Sequence, residues 1–255
     1  MGTSNTCAST SDRNYRQLIL KIIILTASLL MQAAADAKQS TCFGSSSNGK
    51  IINALRLPVS GINFTSYSSF AIWMGRTYVH SQVKQIIVQA YKTLEEVRPT
   101  SVYKYAETGF KQGGKFSPHK THQNGLSVDF IVPVLNRKGK SVHLPSHASN
   151  HWGYKIEFNS RGRYRGYRID FPAMAAHLVA LDKTAKSNGL GLVRVIFDPK
   201  MQHRLFATEY GPYLKKHIRF SKRRSWVRHD EHYHVDFKVP CKKYSEHKQH
   251  QMRKL

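Results

Sequence analysis

Two histidine-bearing segments constrain this chain more than any other feature. They are Pro118-His119-Lys120-Thr121-His122-Gln123-Asn124-Gly125-Leu126-Ser127-Val128-Asp129-Phe130 and Arg228-His229-Asp230-Glu231-His232-Tyr233-His234-Val235-Asp236-Phe237. Each passes from a polar loop into an alternating stretch, the pattern of a half-buried strand. On the second strand His232 and His234 are two residues apart and share a face. In the first, Asp129 lies inside the strand and His122 at the turn before it. Setting the two strands side by side presents His122, Asp129 and His234 to one point. Two imidazoles and a carboxylate suit a Zn2+ that keeps a fourth position for water, and three cysteines are too few for a closed thiolate cage. A lone histidine is more often a surface or core residue. Five histidines grouped with Asp129 and Glu231 shift the reading toward a metal centre. For Glu231 and Asp236 the competing reading is plain surface charge.

The N-terminus carries Arg13, Arg16 and Lys21, then an uncharged stretch from Ile22 to Ala35, then Ala35-Asp36-Ala37. That order of positive, apolar and small residues is a secretory signal with cleavage after Ala37. The apolar run is short of the roughly 20 residues of a spanning helix, so it reads as removed and leaves no permanent membrane anchor. The competing reading is a buried apolar helix. Export places the mature protein in the periplasm or outside the cell. Removing residues 1–37 takes three basic and two acidic side chains from 40 Lys+Arg and 15 Asp+Glu, which leaves a net charge of +24. The basicity belongs to the mature protein and points to an anionic partner: nucleic acid, anionic lipid or wall polymer. Nucleic acid is disfavoured, because the chain is exported and shows no zinc-finger spacing or recognition helix. Cys42 and Cys241 remain near the two ends of the mature chain. In an oxidising compartment they form one bridge, and the alternative is two unpaired thiols.

The periodicities predict an α+β fold: a single domain, residues 38–241, with a central mainly antiparallel sheet, flanking helices and long loops. Apolar positions Val83, Ile87, Ala90, Leu94 and Val97 mark a helix stopped by Pro99. Pro172 to Asn188-Gly189 marks a second. Strands are predicted at Ser101–Ala106, Leu126–Val134, Leu192–Phe197 and Tyr233–Val239. Residues 38–50, polar and Ser/Gly-rich, read as a flexible lead-in. Residues 136–168, rich in basic and aromatic residues, read as a long insertion that either grips an anionic polymer through Tyr164 and Tyr167 or is a solvated hairpin. Residues 242–255 read as a basic disordered tail.

The stretch His119 to Asp129 and the later His229-Asp-Glu-His232-Tyr-His234 resemble the two zinc motifs of the penicillin-insensitive murein endopeptidases, a branch of the lysostaphin-type, D-Ala-D-Ala and hedgehog-like metallopeptidases. The His-x6-Asp and His-x-His spacings both match. Asn48-Gly49, Leu57-Pro58 and Gly113-Gly114 add weaker similarity across residues 42–241. The resemblance implies His122, Asp129 and His234 as zinc ligands and His232 as the catalytic imidazole. It places His119 and His229 beside the active site, with His229 and Glu231 counted among the candidate catalytic residues. Glu231 is the rival general base, although a regular strand would turn it away from His232 unless the chain bends first. The implied activity is hydrolysis of D-Ala to diamino-acid cross-links between peptidoglycan stem peptides. The alternatives are a D,D-carboxypeptidase or other peptidoglycan peptidase with the same site, and a non-catalytic wall-binding module. The chain departs from the family's usual Gly-Leu-Asp-Val-Asp by carrying Ser127 at the first Asp. Ser127 and Asp129 share a face, so the change falls on a hydrogen bond behind the ligands.

Overall fold

The computed structural model describes residues 39–223, 225 and 227–252, so the expected signal at residues 1–37 lies outside the described residues. From Ser40 the chain forms one unit. Its strands are β1 (Thr41–Ser45), β2 (Asn48–Ile52), β3 (Leu55–Arg56), β4 (Phe64–Ser66), β5 (Tyr78–Val79), β6 (Tyr103–Tyr105), β7 (Ser127–Ile131), β8 (Val134–Leu135), β9 (Ser141–Val142), β10 (Arg163–Tyr164), β11 (Tyr167–Ile169), β12 (Gly191–Ile196) and β13 (His232–Lys238). The helices are α1 (Ser69–Trp73), α2 (Ser81–Val97), α3 (Phe171–Ser187), α4 (Gln202–Phe206), α5 (Gly211–His217) and α6 (Tyr244–Met252). Among the described residues no helix is long and apolar enough to cross a membrane.

The central sheet has the order β12-β13-β7-β6-β4 and is antiparallel except for the parallel pair β4 and β6. The fold is therefore α+β with a mainly antiparallel sheet. Strand alternation divides its two faces. Tyr233, Val235 and Phe237 of β13 and Val128 and Phe130 of β7 enter the hydrophobic core, where Tyr233 and Phe130 meet His177 of α3. The intervening His232, His234, Asp236, Ser127 and Asp129 face the other way. Register pairs His234 with Asp129 and Asp236 with Ser127.

Helix α2 buries Val83, Ile86, Ile87, Ala90, Tyr91 and Leu94, each large aliphatic contributing about 1.5–3 kcal/mol by leaving water. Asp170 caps α3 by accepting from the Ala173 amide at 3.0 Å, and Pro172 sits in the first turn. Near-complete burial of α3 explains its weak amphipathic pattern.

Three expectations are corrected. The expected flexible lead-in at residues 38–50 is, over its described residues, an ordered hairpin: β1 and β2 pair antiparallel with Cys42 opposite Ile51. Residues 242–255 are no wholly disordered tail, since 244–252 form α6. Its His247 ring packs edge-on against Phe43 of the hairpin at 5.2 Å. Both segments are ordered by each other, through the Cys42–Cys241 disulfide and backbone bonds between Gly44, Cys42 and Lys242. The 136–168 insertion is neither a structureless loop nor a lone hairpin. Its strands contribute to a small sheet of order β10-β11-β8-β9, with a 3-10 turn at Ala148–Gly153 between β9 and β10.

The disulfide closes a separation of 199 residues. Replacing both cysteines with serine is expected to cost about 2–5 kcal/mol of stability, because a long loop in the unfolded chain is released. Urea unfolding of the double variant at equal protein concentration checks this; an unchanged midpoint contradicts it.

Candidate active site

Asp129 and His234 face one another across the β7–β13 pair, and the loop between β6 and β7 brings His119 and His122 over them. That loop doubles back on itself and is tied to the β1–β2 hairpin by the bonds Ile51 N–H to Gln112 O and Gln123 N–H to Ser46 O. Gly113, at φ 63°, lies where a Cβ would stand 2.1 Å from the Gln123 carbonyl oxygen, so glycine is required there. His122 itself sits at φ 70° and His229 at φ 55°, left-handed conformations uncommon for non-glycine residues and concentrated at functional sites.

His122 is fully buried. Its Nδ1 donates to the Thr108 carbonyl at 3.1 Å, which leaves Nε2 as a lone-pair nitrogen. That Nε2 has no hydrogen-bond partner and stands 3.3 Å from Asp129 Oδ1. The same Oδ1 lies 2.8 Å from His234 Nδ1, and His234 Nε2 bonds Asp236 Oδ1 at 2.9 Å. Asp236 also accepts from Ser127 Oγ at 2.6 Å and Arg194 Nε at 2.6 Å. Ser127 thus serves as a donor to the carboxylate that holds His234. Burial opposes a charge on His234, but Asp236 and Asp129 outweigh it and push its pKa up to about 10. Burial likewise opposes ionisation of Asp129, and the surrounding imidazoles still hold its carboxyl well below the usual range.

Around Asp129 Oδ2 stand the Tyr154 hydroxyl at 3.0 Å, His119 Nδ1 at 3.8 Å and His232 Nε2 at 3.8 Å. The other nitrogen of His232 bonds Glu231 Oε1 at 2.7 Å. Glu231 precedes β13, where the chain has left regular strand geometry, and so reaches its neighbour instead of the opposite face. Burial disfavours the His232 cation, yet Glu231 and Asp129 raise its pKa. The His229 ring packs 4.5 Å from His232; burial and that neighbour lower its pKa to about 4. Glu231 and Asp236 are both buried, which corrects the reading of them as surface charge.

Glu107 organises the rim, accepting from Tyr67 Oη at 2.9 Å and from Arg76 Nε and His119 Nε2. Burial would raise its pKa, but His119 and Arg76 lower it to about 2. Its folded pKa lies below the unfolded 4.5, so the stability it supplies is present above pH 4.5 and lost as pH falls toward 2. Glu107→Gln is expected to cost about 3 kcal/mol at neutral pH by stranding Arg76. Urea midpoints of the two proteins should converge on acidification through that window; a constant difference contradicts the assignment.

A cleft of about 480 Å3 opens over these groups, lined among others by Tyr67, His119, Trp152, Tyr154, Arg228 and His232. Every candidate residue from the two motifs thus belongs to one cluster. The donor atoms of His119, His122 and Asp129 lie within 4.8 Å of one another, so a His-His-Asp group could hold a metal ion. The chemistry fits, because an orphaned imidazole nitrogen faces a carboxylate in a buried site. Sequence reasoning missed Tyr154, Glu107, Tyr67 and Arg76. Tyr154 lies in the insertion without periodicity, and Glu107 follows a short strand with no flanking motif.

An α+β domain whose central sheet presents a buried His/Asp cluster at the floor of a cleft is the class of protein these features define. The family model for penicillin-insensitive murein endopeptidases matches residues 42–254, and the chain belongs to that family. It is therefore a peptidase-family hydrolase acting on murein. None of the curated proteins matches the chain.

Proposed function

We propose that the chain is a zinc-dependent D,D-endopeptidase that hydrolyses the D-Ala to diamino-acid cross-link between peptidoglycan stem peptides, and that it acts in the periplasm or outside the cell after removal of residues 1–37. The observation that carries this reading is His122 Nε2, buried and unpartnered, facing Asp129 Oδ1 across 3.3 Å. With the Nδ1 proton engaged by Thr108, both atoms are acceptors, and a cation relieves their opposition. The ligands in this reading are His122 Nε2, Asp129 and His234 Nδ1, an N,N,O set that leaves a position open on Zn2+. This reading keeps His119 beside the ligands, because Glu107 already engages its Nε2.

Zn2+ held there would supply a Lewis acid for the scissile carbonyl and would lower the pKa of a water toward about 7. His232 takes the water proton and returns one to the leaving amine. Its Nε2 is turned toward Asp129, and Glu231 holds its Nδ1. Glu231 therefore positions His232, and His229 packs behind it. Asp236 fixes His234 in the orientation that offers Nδ1, so Asp236→Asn is expected to weaken Zn2+ affinity about 10–100-fold. Competition against a chelating dye measures this; unchanged affinity contradicts the role.

Digestion of purified cross-linked muropeptide dimers tests the specificity. The wild type should release monomers. Intact dimers accompanied by loss of terminal D-Ala from pentapeptides would make the chain a carboxypeptidase instead.

A further inference from the structure

The catalytic cluster leaves one feature of the cleft wall unused. The turn carrying Tyr154 also carries His151 at φ 49° and Trp152 at φ 55°, consecutive left-handed residues of which the second is an indole. Such a conformation is an outlier for a bulky side chain and persists only where neighbours enforce it. Here Asn150 enforces it: its Oδ1 accepts from the His147 and Gly153 amides, each at 2.9 Å, and its Nδ2 donates to the Pro145 carbonyl at 2.9 Å. The braced Trp152 lines the cleft and stacks on Phe70 of α1, with ring centroids 5.4 Å apart and planes 8° apart. Phe70 in turn lies 5.7 Å from Trp73, tilted by 30°. Phe70 is 49% exposed and Trp73 77% exposed. A row of three aromatic rings thus runs from Trp152, which packs against the core, through Phe70 to an open indole at Trp73. Exposed large aromatics arranged this way mark a binding surface.

We propose that this row is a subsite for the glycan strand of the substrate, with sugar rings stacking on Trp73 and Phe70. This rests on the murein-hydrolase reading and adds a contact outside the peptide cleft. Pyranose rings present apolar C–H faces that pack on aromatic faces without needing a charged partner, and the row contains no charged residue. The substrate supplies continuity: stem peptides hang from the glycan, so a cross-link seated in the cleft brings sugar to its edge. A bilayer would call for a broader apolar patch than this line of rings with the exposed Met74 beside Trp73.

The test uses the full mature protein and two ligands. Peptide-free glycan strands, titrated while intrinsic tryptophan fluorescence is followed, should bind the wild type. Trp73→Ala, at an exposed position where folding is not at stake, should bind them about tenfold more weakly. Ile62→Ala, 88% exposed and outside the row, is the surface control and should bind as the wild type does. In hydrolysis, Trp73→Ala should lower the ratio of kcat/KM on glycan-bearing to glycan-free cross-linked dimers, chiefly through KM. Wild type that cleaves both substrates with a ratio untouched by Trp73→Ala overturns the subsite and leaves the endopeptidase intact. Wild type that cleaves neither overturns the endopeptidase reading, while glycan binding is still scored by fluorescence. Binding to phosphatidylglycerol/phosphatidylethanolamine vesicles through Trp73, with none to glycan, overturns the subsite in favour of a membrane face.

Discussion

His122→Ala should abolish release of monomers from cross-linked dimers, with activity lowered about 1,000-fold or more, and should strip the metal from the purified protein. His122 Nε2 is the one nitrogen of the cluster that is fully enclosed, unpartnered and aimed at Asp129. Its removal leaves Asp129 and His234 as an incomplete pair of ligands. Loss of several kcal/mol of charge stabilisation, at about 1.36 kcal/mol per tenfold in rate, gives the expected size. Metal content by elemental analysis and dimer hydrolysis should fall together, and near-UV circular dichroism should report the fold retained. Full hydrolysis by a variant lacking this imidazole would remove the proposed ligand set.

The second large effect separates the proton carrier from the metal. His232→Ala should lower kcat by about 100- to 10,000-fold, the usual contribution of a general acid–base, while the metal stays bound. Glu231→Gln should cost less, about 10–100-fold, because the carboxylate acts through His232 Nδ1 at 2.7 Å. The two variants compared under saturating substrate decide between the histidine and its rival. A larger loss from Glu231→Gln than from His232→Ala would make Glu231 the base.

Legibility in the sequence followed the range of the forces involved. Strand alternation is local, so the shared face of His232 and His234, and their separation from Tyr233, could be read directly. The same holds for α2, whose buried positions recur at helical spacing, and for the end of α3 at Asn188-Gly189. What escaped depends on distant partners. Residues 38–50 read as flexible by composition, yet the hairpin that begins there is ordered by Cys241, Lys242 and α6, about two hundred residues away. Tyr154 reaches Asp129 only because the 3-10 turn is folded onto the cleft, and no period in residues 136–168 announces that. Strand geometry would turn Glu231 away from His232, but the strand begins one residue too late for that rule to apply. Asp236 carried the alternation signal but no hint that Ser127 and Arg194 would converge on it.

The most direct measurement is zinc-edge anomalous scattering from crystals of the mature protein grown with Zn2+. A single peak within about 2.0–2.2 Å of His122 Nε2, an Asp129 oxygen and His234 Nδ1 is the expected result. A peak held by His119, His122 and Asp129 with His234 left on Asp236 alone, or no peak in the cluster, would contradict the ligand set on which the proposed mechanism stands.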